Sequence, residues 1–314
     1  MEAVKETVKA VAEKAAEVAS PARAKTPETA AKGILPMAGA GAAPGVESKM
    51  TDKPIFIRDS YKGSGKLQDK VAIITGGDSG IGRAVAVHFA REGAHVAILY
   101  LNEDTDAKET EALVAKEGRK CLLFSGDVGD EKTCADVVAK TVSELGRIDI
   151  LVNNASEQHV SSAGIEDVPP EQLERVMRTN VYGYLFMAKA AVPHMHAGAS
   201  IIQTVSVEAY EGSPFMVPYT MSKGAELALT RSLSSSLMTK GIRVNAIAPG
   251  PVHTPLVAST FSPSMIASIK SATKMGRMAM PAEIAPSYVL LASQDGSYIS
   301  GSTLHPDGGM LTAS

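Results

Sequence analysis

Cysteine, charge imbalance and long apolar runs are all scarce in this chain of 314 residues. Its two cysteines, Cys121 and Cys134, do not have the dense spacing of a disulfide or zinc framework, which fits a reducing compartment. Basic and acidic side chains nearly cancel, leaving a formal charge of -3. That balance excludes the basic field that draws nucleic acid or anionic membranes, so a small molecule is the expected partner. No apolar run reaches the ~18 residues of a membrane span, and nothing near Met1 resembles the apolar core of a secretory signal. The expectation is a soluble protein with the cytoplasm as its default compartment. Arginine also comes late: Glu2, Glu6, Glu13 and Glu17 precede Arg23, the reverse of a transit peptide. Organelle targeting by the leader stays open as the other reading.

Large apolar side chains are almost missing from residues 1–49, which are rich in Ala, Lys, Glu, Gly and Pro. Such a stretch cannot bury enough surface to order itself, and it is read as a flexible leader, disordered or partly helical. Val4, Val8, Val11, Ala15 and Val18 are spaced for a thin amphipathic helix over residues 1–20. Residues 50–69 read as an extended arm, and 70–314 as the folded domain.

In that domain apolar runs of strand length alternate with helical patterns, the signature of repeated βα units. The expected strands are Val71–Thr75, His95–Tyr100, Lys120–Ser125, Ile150–Asn153, Ser200–Val205, Arg243–Ala248 and Thr303–His305. Most lack polar alternation, as strands do when helices cover both faces. The fold class is therefore α/β: a single doubly wound Rossmann-type domain with a seven-stranded, mostly parallel sheet behind a flexible tail.

The first strand runs into Thr75-Gly-Gly-Asp-Ser-Gly-Ile-Gly82 and then into a helical pattern. Glycines there permit a tight turn and close backbone approach, and the helix N-terminus favours a pyrophosphate. Gly76, Asp78, Ser79, Gly80, Ile81 and Gly82 are accordingly assigned to a dinucleotide. At the end of the second strand, Tyr100 stands where an acidic side chain would hold the ribose 2′-hydroxyl of NAD, followed by Leu101 and Asn102. Without that carboxylate a 2′-phosphate is not repelled, so NADP is favoured over NAD, although no Lys or Arg lies in 99–106 to clamp it. Asp127 and Val128 end the third strand in position to meet an adenine edge; Asp127 is alternatively a cap for the helix starting near Asp130.

Tyr219 and Lys223 are four residues apart on one helix, hence on one face. A phenol of pKa ~10 is a poor general base near neutrality, and an adjacent ammonium lowers it. Ser206, at a strand end, is placed to hold a substrate oxygen beside the tyrosine. Alone, Tyr-x-x-x-Lys is more often a solvated helix face.

The combination Thr75–Gly82, Asn153-Asn-Ala-Ser156, Asn180, Ser206, Tyr219–Lys223 and Pro249-Gly250 resembles the short-chain dehydrogenase/reductase family, in order over nearly all of 67–309. The stretch Asp59–Lys70 and Gly76–Gly80 is similar to the glucose and ribitol dehydrogenase homologues within it. This resemblance implies an acid/base role for Tyr219, a supporting and ribose-holding role for Lys223, a substrate-oxygen anchor at Ser206 and a water-relay holder at Asn180. It adds Asn154, Ala155, Ser156, Pro249, Gly250, Val252 and Thr254 to the cofactor contacts, and it implies a homotetramer. Ser156 departs from the pattern, which has glycine there, so its side chain either crowds the cofactor or offers a further hydroxyl.

Glu157, His159, Glu208 and His253 sit on loops at strand ends and are candidate substrate contacts. His194 and His196 read as helix-end residues near a negative dipole end, and no metal site is expected. The sequence thus points to hydride transfer between a nicotinamide and an alcohol or carbonyl, a sugar or an aldehyde. The competing reading is a dinucleotide-sensing or stress-protective protein without turnover, for which the Tyr-Lys-Ser-Asn set would be superfluous.

Overall fold

The computed structural model describes residues 45–160 and 165–311. The expected helix over residues 1–20, and the leader as far as 44, lie outside them.

Seven strands form one sheet: β1 (Val71–Thr75), β2 (His95–Tyr100), β3 (Cys121–Ser125), β4 (Ile150–Asn153), β5 (Ser200–Thr204), β6 (Arg243–Ile247) and β7 (Thr303–Leu304). Their order is β3-β2-β1-β4-β5-β6-β7, and every pairing is parallel, where the sequence suggested mostly parallel. Three strands end one residue sooner than expected, within the usual uncertainty of strand ends. β3 also starts one residue late, for a visible reason: the Lys120 amide donates to the His95 ring at 3.0 Å instead of to the ladder.

Helices α1 (Gly80–Arg91), α2 (Asp104–Lys116) and α3 (Glu131–Leu145) connect the first half. In the second half come α4 (Pro170–Met177), α5 (Gly183–Ala191), the single turn α6 (Glu208–Glu211) and the long α7 (Val217–Leu237). Three helices follow β6: α8 (Pro255–Thr260), α9 (Pro263–Ala272) and α10 (Pro281–Ala292). Proline at the first position opens α4, α8, α9 and α10, where its missing N–H costs nothing. The cap of α3 is Asp130, which accepts from the Lys132 and Thr133 amides, so Asp127 is not the cap.

Strand alternation splits the core into two layers. Ala72, Ile74, Val96 and Ile98 pack with α1 and α10 on one face, while Ile73, Ala97 and Leu99 pack with α3 and α5 on the other. With both faces covered, the strands need apolar residues at every position, which is why they read as unbroken apolar runs. The strand order reverses between β1 and β4, and such a switch point opens a crevice at the carboxyl ends of the strands.

The arm starts earlier than expected. Packing against the domain begins around Gly45, and the 3-10 turn Glu47–Lys49 is part of it. Glu47 is buried: one carboxylate oxygen accepts from the Gly80 amide at 2.7 Å and the other from Arg83 at 2.7 Å. The Glu47 and Ser48 amides donate to the Asp106 carboxylate at 2.7 and 2.9 Å. Further along, Glu92 holds the arm through the Tyr61 hydroxyl at 2.6 Å and the Ser64 amide at 2.8 Å.

Candidate active site

A cleft of about 810 Å³ runs along the carboxyl edge of the sheet, a size suited to a cofactor with a small substrate. One end is the glycine turn after β1. Gly76 has φ +62°, a left-handed conformation that an L side chain rarely adopts, and a Cβ there would press on Asn154 and Ala155. A Cβ on Gly82 would overlap the Gly76 carbonyl. The turn is therefore drawn against its own helix and against the end of β4. Not all of its amides face the cleft: Gly76 donates to Leu99 O at 2.7 Å and Gly80 to Glu47. Ile81 and Gly82 follow in the first helical turn, where amides have no intrahelical acceptor.

Asp78, Ser79, Tyr100, Leu101, Asp127 and Val128 line this half, together with Glu103, which the sequence did not single out. Asn102 is not among the lining residues. Burial pushes the Asp78 carboxyl up to about 6. The Tyr100 hydroxyl donates to Asp104 at 2.7 Å. Asn154, Ala155, Ser156, Pro249, Gly250, Val252 and Thr254 line the middle.

Asn180 sits in a π turn, Arg178–Tyr182, between α4 and α5. Such turns present a side chain out of α-helical phase and often mark functional positions. Its Oδ1 accepts from the Glu157 amide at 2.8 Å and the Ser156 hydroxyl at 3.3 Å; its Nδ2 donates to Ser222 at 2.9 Å and Glu157 O at 3.0 Å. Ser222 in turn donates to Tyr219 O at 2.7 Å. Asn180 thus ties the loop after β4 to the helix of Tyr219 with all of its polar capacity engaged. The Ser156 hydroxyl is turned toward Asn180.

Ser206, Tyr219 and Lys223 line the same stretch of cleft. The expected lowering of Tyr219 by Lys223 is not what the structure shows. Burial drives the phenol upward, the carboxylate of Glu226 adds to that, and hydrogen bonding to Ser206 opposes it. Lys223 donates to both oxygens of Glu226, at 2.9 and 3.0 Å, and to Thr204 O at 2.9 Å. Glu226 is fully buried; burial raises its carboxyl, and Lys223, which donates to both of its oxygens as an ammonium does to a carboxylate, pulls the other way. Desolvation likewise pulls Lys223 down.

Glu157 and Glu208 line the cleft, whereas His159 and His253 do not. His159 donates through Nε2 to Glu157 at 2.7 Å, and Arg175 donates to the other oxygen of Glu157 at 2.7 Å and also meets Asp127. Burial alone would raise Glu157, but His159 and Arg175 hold it below the usual carboxylate range. His253 lies 2.9 Å from Asp52 O on the arm, outside the cleft. Burial, with Glu211 nearby, raises Glu208. Beyond the tyrosine the wall turns apolar, with Phe215, Met216, Phe261, Met265 and Ile269, which the sequence reading missed. Phe215 and Met216 lie on a loop with no period to read, but Phe261, Met265 and Ile269 recur at every fourth residue, the last two on one face of α9, a helical signal present in the sequence. Glu226 had a legible signal, three residues past Lys223 on the same helix face.

A doubly wound sheet, a glycine turn opening a helix at the switch point, and a buried Tyr-Lys-Ser group at the far end of one cleft define a dinucleotide-dependent oxidoreductase. Comparison with known proteins agrees: the family described as Enoyl-(Acyl carrier protein) reductase matches residues 76–311. The chain is 47% identical over 274 residues to "Glucose and ribitol dehydrogenase" of Daucus carota, covering 85% of this chain and 94% of that protein. It is 46% identical over 277 residues to "NADPH-dependent aldehyde reductase 1, chloroplastic" of Arabidopsis thaliana, covering 86% and 96%. Among solved structures, a short chain dehydrogenase from Burkholderia cenocepacia J2315 in complex with NADP has 28% identity and a TM-score of 0.74, over 78% of this chain and 99% of that one. The chain belongs to the short-chain dehydrogenase/reductase family and is an NAD(P)-dependent oxidoreductase. No helix among the described residues is long and apolar enough to cross a membrane.

Proposed function

We propose that the protein interconverts a carbonyl and an alcohol, with Tyr219 as the proton-transferring group, Ser206 as the anchor of the substrate oxygen and Lys223 as the ribose-side cation. The observation that carries this reading is the convergence of these three side chains, from two different elements, in one cleft that also contains the glycine turn. A nicotinamide dinucleotide fits the residues present: Gly76, Ser79, Gly80 and Ile81 of the turn line the cleft, Gly82 behind them lets the turn close on its own helix, and the cleft continues to Tyr219. When bound, the nicotinamide supplies or accepts the hydride.

The chain's own part is position and proton supply. The Ser206 hydroxyl, which accepts from the Glu208 amide at 3.2 Å, is directed by that bond and donates to the substrate oxygen. Tyr219 gives its proton to the same oxygen during reduction and takes it back during oxidation. Asn180 fixes the distance between the loop after β4 and α7; a water relay through it requires one of its four protein hydrogen bonds to open.

NADP is the favoured dinucleotide. Tyr100 leaves no carboxylate at the end of β2, and the Arabidopsis relative is named for NADPH. Glu103 on the cleft wall works against a 2′-phosphate, so the preference is expected to be modest. For the substrate, Phe215, Met216, Phe261, Met265 and Ile269 favour a carbonyl with a hydrocarbon body over a polyhydroxylated sugar, with Glu208, Glu211, Ser213, Ser264 and Ser268 as the polar groups set among them. The test is a rate comparison of NADPH and NADH with a medium-chain aldehyde, and of the oxidised forms of both dinucleotides with glucose. Nicotinamide absorbance should change fastest with NADPH and the aldehyde; faster turnover of the sugar overturns the substrate assignment, and no turnover with any carbonyl or alcohol overturns the whole reading.

A further inference from the structure

The pair Lys223–Glu226 has no counterpart in the reaction as described, which needs the cation alone. Its geometry is specific. An ammonium has three N–H groups, and all three are committed: two to the carboxylate of Glu226 and one to Thr204 O. The pair is sealed from water, with side chains 1% and 0% exposed. Lys223 lies 5.4 Å from the centre of the Tyr219 ring and 5.5 Å from that of Tyr184. The groups facing Glu226 are Lys223 and Tyr219 on its own helix, Tyr184 from α5 and Tyr288 from α10; Glu208 on α6 faces Tyr219. Burial pushes all three tyrosines upward, so they stay protonated and cannot compensate a carboxylate. Lys223 is the one cation in this set. Felt at Tyr219, its attraction for a phenolate is offset by a negative charge an ion-pair distance away.

We propose that Glu226 is a positioning residue that sets the working direction of the site: it folds Lys223 back along α7 and offsets its charge, so that Tyr219 is kept as a proton donor for carbonyl reduction. This rests on the assignment of Tyr219 and Lys223 made above. In reduction a bound reduced nicotinamide would supply the hydride for the new C–H bond and be left oxidised, while the product O–H forms as the Tyr219 O–H breaks and water restores the tyrosine proton. Oxidation starts instead from the phenolate, the form that Glu226 disfavours. The overall equilibrium is untouched; what changes is the pH at which each direction is fast. Engagement of Lys223 by a ribose hydroxyl also requires it to give up one of its three bonds, so Glu226 opposes dinucleotide binding to a measurable degree.

The experiment is Glu226→Gln, which keeps shape and an acceptor for Lys223 but removes the charge. The pH profile of kcat/KM for alcohol oxidation should move at least one unit toward acid, roughly a tenfold gain at neutral pH, while reduction gains nothing. Glu226→Asp should return the profile toward that of the unaltered protein. Unmoved midpoints, with both directions slowed equally, are the mark of a packing role and overturn the proposal. A second readout does not depend on turnover: the tyrosinate ultraviolet band, assigned to Tyr219 by subtracting the Tyr219→Phe spectrum, should appear at lower pH in Glu226→Gln. Coincident titrations overturn the proposal even if Glu226→Gln is inactive. Absence of turnover in the unaltered protein counts instead against the reaction assigned above.

Discussion

Glu47 on the arm and Arg83 on α1, 36 residues apart in the chain, meet at 2.7 Å with side chains 3% and 2% exposed. The arm is therefore fastened to the dinucleotide-binding helix by a desolvated ion pair. Removing one member leaves the other charged and buried, typically at a cost of 3–5 kcal/mol. Glu47→Ala is expected at the lower end, about 3 kcal/mol, because the half-exposed Glu109 still reaches Arg83 at 2.9 Å. Replacing both residues by methionine should recover only part of the loss, because the Gly80 amide loses its acceptor and the Asp78 and Asp106 carbonyls lose the guanidinium. Denaturant unfolding of the three proteins checks this, and a double variant no better than Glu47→Ala contradicts it.

Tyr219→Phe keeps the ring in its packing with Met216 and Phe261 and removes only the hydroxyl. Turnover should fall about 10²–10⁴-fold, the usual weight of a positioned acid or base, while dinucleotide affinity changes little. Fluorescence of bound NADPH separates the two effects; retained turnover excludes the acid/base role.

Gly82→Ala sets a methyl against the Gly76 carbonyl at the tightest point of the turn. The turn must open, and dinucleotide affinity should drop at least tenfold with KM for the second substrate nearly constant. Titration calorimetry with NADPH tests it, and unchanged affinity would place the cofactor elsewhere.

His88 is buried on α1, bonded through Nδ1 to Ala84 O at 2.7 Å and packed edge-on against Tyr61 of the arm at 4.4 Å. Burial lowers its pKa from 6.5 to about 4. The unfolded chain then binds more protons than the folded one between those values, so stability falls as the pH drops from about 6.5 to about 4. The loss from this residue is on the order of 3 kcal/mol. Melting curves across that window should show it, and His88→Gln should flatten the slope; an unchanged slope removes His88 as its source.

Family membership leads us to expect a homotetramer. The exposed Tyr182 at the end of the π turn, Leu185 on α5 and Met221 on α7 are apolar surface that such an assembly would cover. Gel filtration with light scattering should give four chains, and Leu185→Glu should reduce the mass; a monomeric unaltered protein contradicts the expectation.

The sheet and the glycine turn were legible because each is written locally. Buried parallel strands require runs such as Val71–Thr75, and a turn against its own helix requires glycine at 76 and 82. The Tyr219, Lys223 and Ser206 positions were legible as a motif, but their electrostatics were not. Whether Lys223 faces Tyr219 alone or is shared with Glu226 depends on which groups are desolvated together, and Tyr184 and Tyr288, which come to the pair from elements distant in the chain, are among them. The arm was misjudged for a similar reason. Glu47 lies in a stretch too polar to order itself, and only its distant partners Gly80, Arg83 and Asp106 make it part of the fold. His159 and His253 do lie on loops at strand ends, yet neither lines the cleft, because Glu157 and Asp52 O hold the two rings, and those partners are not written in the local sequence.

The π turn at Arg178–Tyr182 bears on how this site can change over time. A helix turns about 100° per residue, so the extra residue held in the wider turn resets the angular phase of everything after it. Losing one residue of Arg178–Tyr182 other than Asn180 would let α4 and α5 join as one regular rod, and Asn180 would swing away from Ser156 and Ser222 without a change in its identity. The bracing of the loop after β4 is thus encoded as a length of chain as much as a choice of side chain. Relatives that lack one residue here should have lost that brace even where the asparagine is retained.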